Sequence, residues 1–365
     1  MQKTGVLLAA AACLTLGVTA LPAQRPATTG RQSDRPFQHI YVIMMENQGT
    51  AQIVGNPHLP YINQLIQDYG YANNYFGVTH QSLANYVAFL SGSNWGTHSD
   101  APNQVFNHRN LVDQLETHHL TWKAYMESMP SPAYAGAWYP DNEPPGTSIA
   151  LTPPNALYAL KHNPFMLMQD IKDNPARAQD IVPLSQFSTD LHHNRIPNFA
   201  WITPNLINDM HGQSTGPGAQ VTGSDPTQLF QAGDAFVQHT VQEIMASKSW
   251  KTSKSVIYIT WDETAYPSGT PSPSELAAFT AAGPDAPLVP AGLLNGTPWP
   301  GGPYGGGQVP LIVVDNQDPH HFVMHTWADH YSLLRTIEQN WRLGYLMNAS
   351  DSNQVTTLPV PGEPR

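Results

Sequence analysis

Two oxygen-donor pairs stand at the ends of the two most apolar runs in this 365-residue chain: the carboxylate and amide of Glu46-Asn47 follow HIYVIMM, and the two acids Asp262-Glu263 follow SVIYITW. Oxygen donors of this kind suit a hard divalent cation, and carboxylates brought together repel one another unless a cation neutralises them. Ser82 stands directly before a third apolar stretch, residues 83–90. A hydroxyl at the start of a helix lies beside unpaired backbone N–H groups, which favour an anion. Metal coordination would lower its pKa and make it a nucleophile. Asn85, one turn on, is placed to donate its amide to the same anion. Each feature has a plain alternative: acid pairs solvate turns, and a serine before a helix caps it. The repetition of the acidic layout at two strand exits favours metal-assisted phosphate chemistry.

These groups meet only if the runs that carry them are neighbours. A continuous apolar run rich in β-branched and aromatic residues reads as a strand buried on both faces, as in a parallel sheet. Ligands bind at the carboxyl edge of such sheets. Parallel strands ending in Glu46-Asn47 and Asp262-Glu263 bring up to four oxygen-donor side chains to that edge. Further strands are expected at 71–76, 121–126, 198–203 and 309–314, and helices at 60–67, 83–90, 111–115, 184–194, 226–247 and 329–340. The 226–247 stretch has the clearest apolar face, from Leu229, Phe230, Phe236, Val237, Val241, Ile244 and Met245. Strands alternating with helices predict an α/β sandwich around a mostly parallel sheet. Two long segments rich in Pro and Gly, 129–154 and 264–307, read as irregular excursions of the kind that form binding elements or lids. The tail from Asn348 is polar and reads as loose.

The N-terminus, MQKTGVLLAAAACLTLGVTALPAQ, has Lys3, an apolar core from Val6 to Val18 and then small residues. That layout predicts a secretory signal peptide over 1–23, too short in its apolar part for a membrane span, and a single domain over 24–365. Cys13, the only cysteine, lies inside it. A lipoprotein site at Ala11-Ala12-Cys13 is the alternative, against which apolar residues continue past the cysteine. Without cysteine the mature chain has no disulfide and no thiolate ligand, which suits a periplasmic or secreted protein with a large core. The formal net charge of −11 repels nucleic acid and anionic lipid, so neither a nucleic-acid partner nor stable membrane insertion of the mature chain is expected. Sixteen histidines equal Lys plus Arg in number, so falling pH softens the negative field. His118-His119, His192-His193 and His320-His321 read as solvated pairs. His80, His162, His211 and His330 each stand at a turn or helix start beside another polar residue.

The stretch THQSLANYVAFLSGS resembles the signature of a bacterial and fungal phosphoesterase family that holds secreted acid phosphatases and phospholipases C, within the alkaline-phosphatase-like superfamily. VIMMEN, WKAYMESMP, YALKHNPF, FAWITPNLINDMH, VIYITWDE, GGGQVPLIVV and ADHYSLLRTIE are similar to its other blocks, in order. The resemblance implies an alkaline-phosphatase-like three-layer α/β fold. It implies a divalent metal held by Glu46, Asn47, Asp262 and Glu263, with Ser82 as nucleophile and metal ligand. By the same likeness His162, His211 and His330 hold phosphate or shuttle protons, and Lys161 and Asp209 assist substrate binding. Gln81 and Ala84 depart from the family's usual prolines, which alters loop stiffness but removes no reactive group. The phospholipase-like aromatic after the Glu-Asn pair is absent, Gln48-Gly49-Thr50-Ala51 standing there, and no added C-terminal domain is recognised. The expectation is an exported, metal-dependent phosphomonoesterase of acid-phosphatase type, acting on a small phosphate ester through a phosphoserine. The alternatives are a phospholipase C or other phosphodiesterase on the same site, and a catalytically inert phosphate- or metal-binding protein.

Overall fold

In the computed structural model the described residues are 37–97, 99–140, 153, 155–212, 226–264, 292–294, 297–299, 305–317, 319–352 and 355–358, all within one compact unit, Pro36–Arg365. The expected signal peptide and leader, part of the first excursion and most of the second lie outside them. Eight strands form the main sheet: β1 (His39–Met45), β2 (Gly70–Ala72), β3 (Trp122–Met126), β4 (Ile181–Pro183), β5 (Phe199–Thr203), β6 (Ser255–Trp261), β7 (Leu311–Asp315) and β8 (Phe322–Met324). Their order across the sheet is β8-β2-β7-β6-β1-β5-β3-β4. Only β7 runs against the others, so the sheet is mostly parallel.

The three central strands explain the apolar runs. Every residue of β5 and β6, and all of β1 after His39, is buried. Successive side chains in a strand point to opposite faces, so burial of all of them requires cover on both sides. Tyr41 shows one face: its ring meets Phe187 edge-on, and its hydroxyl lies 3.4 Å from Ser249 Oγ. Trp201 is one register step away, paired with Val42 while Tyr41 pairs with Ala200, and so faces the other side. There it packs on Tyr86, Phe89 and Phe165. Truncating a ring buried this way costs about 3–5 kcal/mol.

Two helical layers cover these faces. On the Tyr41 side lie α1 (Pro60–Asp68), the helix Ser185–His192 and the long helix Pro226–Ala246. Asp234 on the long helix accepts the Tyr61 and Ile62 N–H groups at 3.1 and 2.8 Å, where Pro60 opens α1 without a capping side chain of its own. On the Trp201 side lie α2 (Ser82–Ser91) and α3 (His330–Trp341), packed on each other. α2 is buried along its whole length, which suits its nearly unbroken apolar sequence. The result is a three-layer α/β sandwich.

Several expectations need correction. The run 71–76 is not one strand: Gly70–Ala72 joins the main sheet, whereas Tyr75–Phe76 pairs in parallel with Ala328–Asp329. β4 and β8 were not expected, because three residues carry too little pattern to read. The tail is not loose over its described part. Met347–Ser350 forms a 3₁₀ turn, Ala349, Val355 and Leu358 are buried, and Leu358 N–H donates to Thr336 Oγ1 at 2.9 Å.

Candidate active site

Met45 of β1 pairs with Trp261 of β6, so the residues that follow, Glu46 and Asp262, leave the sheet side by side. Asp262 N–H donates to Met45 O (3.1 Å), and Asn47 N–H donates to Asp262 Oδ1 (2.9 Å). Asn47 has a φ of 55°, in the left-handed region that asparagine tolerates better than most residues, and the turn directs the chain away from the sheet edge. Gly77 closes the wall behind: a Cβ there would lie 2.5 Å from Asp262 O. His330, first residue of α3, fixes that same carbonyl. Its Nε2–H donates to Asp262 O at 2.6 Å, which leaves Nδ1 to accept from Tyr75 OH at 2.9 Å.

Ser82 is the first residue of α2, and its hydroxyl caps nothing. Oγ lies 3.0 Å from Glu46 Oε2 and 3.4 Å from Glu263 Oε1. One hydroxyl proton serves one carboxylate well, and the shorter contact assigns it to Glu46. Around it, His80 Nδ1 approaches Glu263 Oε2 at 2.6 Å. His162 Nε2 approaches Glu46 Oε1 at 3.0 Å, and its Nδ1 lies 3.5 Å from Asp209 Oδ2. The His162 ring is held by stacking on Tyr86, centroids 5.4 Å apart. Glu46 N–H donates to Asp209 O (2.9 Å), docking the loop after β5 onto β1. In that loop Met210 sits at φ 77° between Asp209 and His211, a strained conformation for a buried methionine. Such outliers concentrate at functional sites.

The electrostatics are those of too many acids in one dry place. Burial first, then the charges of Asp262, Asp209 and Glu263, hold the Glu46 carboxyl well above its usual range, with Lys161 opposing. Burial and Asp262 do the same to Glu263, and burial lifts Asp262 to about 6 and Asp209 well above the ordinary value. Burial pushes the histidines the other way: His80 and His211 to about 3, His330 to about 4, His162 well below its usual value. Acids that resist ionising beside imidazoles that resist protonation make a site that a bound cation would suit.

The residues fit a divalent metal. Asn47 Oδ1, Asp262 Oδ2 and His211 Nδ1 are buried without a hydrogen-bond partner among the described residues, and buried polar groups are otherwise almost always paired. Glu46, His162 and His211 each offer one ligand atom, all within 4.8 Å of one another. This set differs from the all-oxygen group of Glu46, Asn47, Asp262 and Glu263 read from the sequence, because the loop after β5 carries His211 to the same edge.

The fold gathers every residue singled out in the sequence, although not always in the expected contact. Asn85 Nδ2 donates to Thr79 O (2.7 Å) and Glu263 Oε2 (3.3 Å), and its Oδ1 accepts from Val78 and Thr79 N–H. It ties the serine loop to Glu263 instead of facing open space. His330 likewise has both nitrogens engaged and supports Asp262. Lys161 Nζ donates to Asp100 Oδ2 at 2.7 Å. Asp100 was not found by sequence reasoning, nor was Glu127. The Glu127 carboxylate accepts from Asn205 N–H and Asn208 Nδ2, holding the turn before Asp209. Both act through contacts distant in sequence, which spacing does not reveal.

Residues 55–344 match the Phosphoesterase family. A phosphate-repressible acid phosphatase of Penicillium chrysogenum is 35% identical over 139 residues, 38% of this chain and 31% of its own. An acid phosphatase of Aspergillus niger is 26% identical over 350 residues, 93% of this chain and 69% of its own. The match covers only about a third of the Penicillium protein and of a similar acid phosphatase from Aspergillus fumigatus. Among solved structures, a protein in the alkaline phosphatase superfamily from Vibrio parahaemolyticus overlays 86% of this chain and 68% of its own at TM-score 0.48 and 10% identity. With the family's match running from before α1 to beyond α3, this chain belongs to the Phosphoesterase family.

Proposed function

We propose that this chain is an exported, metal-dependent phosphomonoesterase of acid-phosphatase type that works through a phosphoserine on Ser82. The observation that carries the reading is the Ser82 hydroxyl, at a helix start, 3.0 Å from one buried carboxylate and 3.4 Å from another. A capping serine would bond backbone N–H groups; this one bonds Glu46. Family membership and the names of the acid phosphatase relatives support the reaction class.

Glu46, Asn47 and Asp262 are placed to hold the cation, with one of His162 and His211 completing the set and the other left to move a proton. When bound, a divalent cation neutralises the carboxylates, favours the serine alkoxide and polarises the phosphoryl group. Ser82 Oγ attacks phosphorus and its proton passes to Glu46 Oε2, the carboxylate oxygen 3.0 Å away. A phosphate dianion entering beside His211 and His162 supplies the counter-charge that burial denies them. The imidazole that does not hold the cation keeps a proton and gives it to the leaving oxygen. In the second half the same imidazole takes a proton from water as water attacks the phosphoserine, and Glu46 returns its proton to Ser82 Oγ. Atoms and charge balance over the cycle.

Ser82→Ala tests the nucleophile. Loss of turnover by several orders of magnitude with the fold retained is expected, as removal of nucleophiles gives elsewhere. A fully active Ser82→Ala protein would contradict the reading. Substrate class is tested separately. Gln48-Gly49-Thr50-Ala51 follows the Glu-Asn pair where a phospholipase-like aromatic would stand, so p-nitrophenyl phosphate should turn over faster than phosphatidylcholine or a bis ester. Dominant release of diacylglycerol would put the phospholipase C reading first. Export is tested by sequencing the N-terminus of the secreted or periplasmic protein, with cleavage near residue 23 expected.

A further inference from the structure

We infer that Asp100 is a positioning residue that sets the nucleophile and Lys161 relative to each other, an inference that rests on the Ser82 reading above. Helix α2 has no side-chain cap from Gln81, the residue before it. Leu83 N–H instead donates to Asp100 Oδ1 at 3.0 Å, while Asp100 N–H donates to Gln81 Oε1 at 2.8 Å. The two bonds clamp the residues on either side of Ser82. They do from a distant loop what a capping box does within one turn.

The second carboxylate oxygen faces the other way and accepts from Lys161 Nζ at 2.7 Å. A single rigid, planar group thereby spans from the backbone of the nucleophile to a buried ammonium. Burial opposes the charge on Lys161, but Asp100 and Glu46 outweigh it and raise its pKa. The lysine stem is flexible, and its head is a point charge that goes where the negative potential is deepest. Released from Asp100, it would fall toward Glu46 and Glu263, carboxylates that Ser82 and the cation need. Held by Asp100, it stays beside them and free to meet phosphate. The Asp100 side chain is 27% exposed and that of Lys161 6%, so the pair sits at the rim of the site with Asp100 on its outer side.

Two substitutions separate the two oxygens. Asp100→Asn keeps an acceptor for Leu83 N–H and loses the charge that holds Lys161. Asp100→Ala loses both. With a charge-assisted bond removed, Asp100→Asn should raise KM for p-nitrophenyl phosphate by about tenfold with a smaller fall in kcat. Asp100→Ala should lower kcat by roughly a further tenfold, because Ser82 is then loosened as well. Lys161→Met should resemble Asp100→Asn, and combining the two should add little, the mark of residues that act as a pair. If both Asp100 variants keep wild-type constants, or Asp100→Asn and Lys161→Met add fully, the inference is wrong. If Asp100→Ala does not fold, the Asp100→Asn and Lys161→Met cycle decides alone. The underlying reading fails differently: acid-quenched wild type would then carry no phosphate on Ser82, whatever the Asp100 variants do.

Discussion

Helix α3 has a buried acid centre near each end, and the two differ in how many acids they crowd together. At its start His330 holds the Asp262 carbonyl, beside the cluster of Glu46, Asp262, Glu263 and Asp209. Near its end stands Glu338, fully buried and alone. Glu338 Oε1 accepts Leu346 N–H at 2.8 Å. Its Oε2 is buried without a hydrogen-bond partner among the described residues. A proton on Glu338 relieves that burial, and burial, outweighing Gln114, Leu346, Arg335 and Arg109, lifts its pKa to about 8. The cluster has no such remedy. Protonating Glu46 would remove the acceptor for the Ser82 hydroxyl, and the adjacent imidazoles are themselves driven neutral. A lone buried acid can be relieved by a proton, whereas crowded acids that must be ionised at rest suit a metal.

The largest effect expected from this contrast is on removing the cation. Chelation should abolish turnover, and returning a divalent metal should restore it. The same metal should raise the melting temperature, by mass action worth about 2.7 kcal/mol at a hundredfold excess over Kd. Glu46→Gln should lose both responses. Retained metal and retained activity in Glu46→Gln would merge the two acid centres into one kind.

A smaller effect is expected at Glu338 and should ignore metal. Its folded-state pKa lies above the unfolded value near 4.5, so the folded protein binds this proton more tightly. Its contribution to stability is complete below about pH 4.5 and is lost as pH rises through about 8, at a cost of order 5 kcal/mol. Glu338→Gln carries no titrating proton and should flatten that fall. Urea midpoints at about pH 5 and about pH 9 measure it. Parallel losses in the two proteins would mean that Glu338 is not the source.

Much of this was legible before the fold was known, and the reasons are local. β1 and β6 announce themselves because strands covered on both faces are apolar throughout, and each ends in acid where the sheet edge meets solvent or ligand. Ser82 was legible as the start of an apolar helix, but not that its hydroxyl would turn to Glu46 instead of capping. The reversed direction of β7 left no trace, since a buried strand reads the same both ways. Asp100 was silent because its partners Leu83 and Lys161 are 17 and 61 residues away. The tail misled because its polar residues outnumber Ala349, Val355 and Leu358, the three that pack.

The central claim is that phosphorus becomes bonded to Ser82 Oγ. Enzyme supplied with a divalent metal and a phosphate-labelled monoester, quenched in acid during turnover and digested, tests it directly. The label is expected on the peptide containing Ser82 and is expected to vanish in Ser82→Ala. Label on a peptide containing His162 or His211, or persisting in Ser82→Ala, would contradict the account.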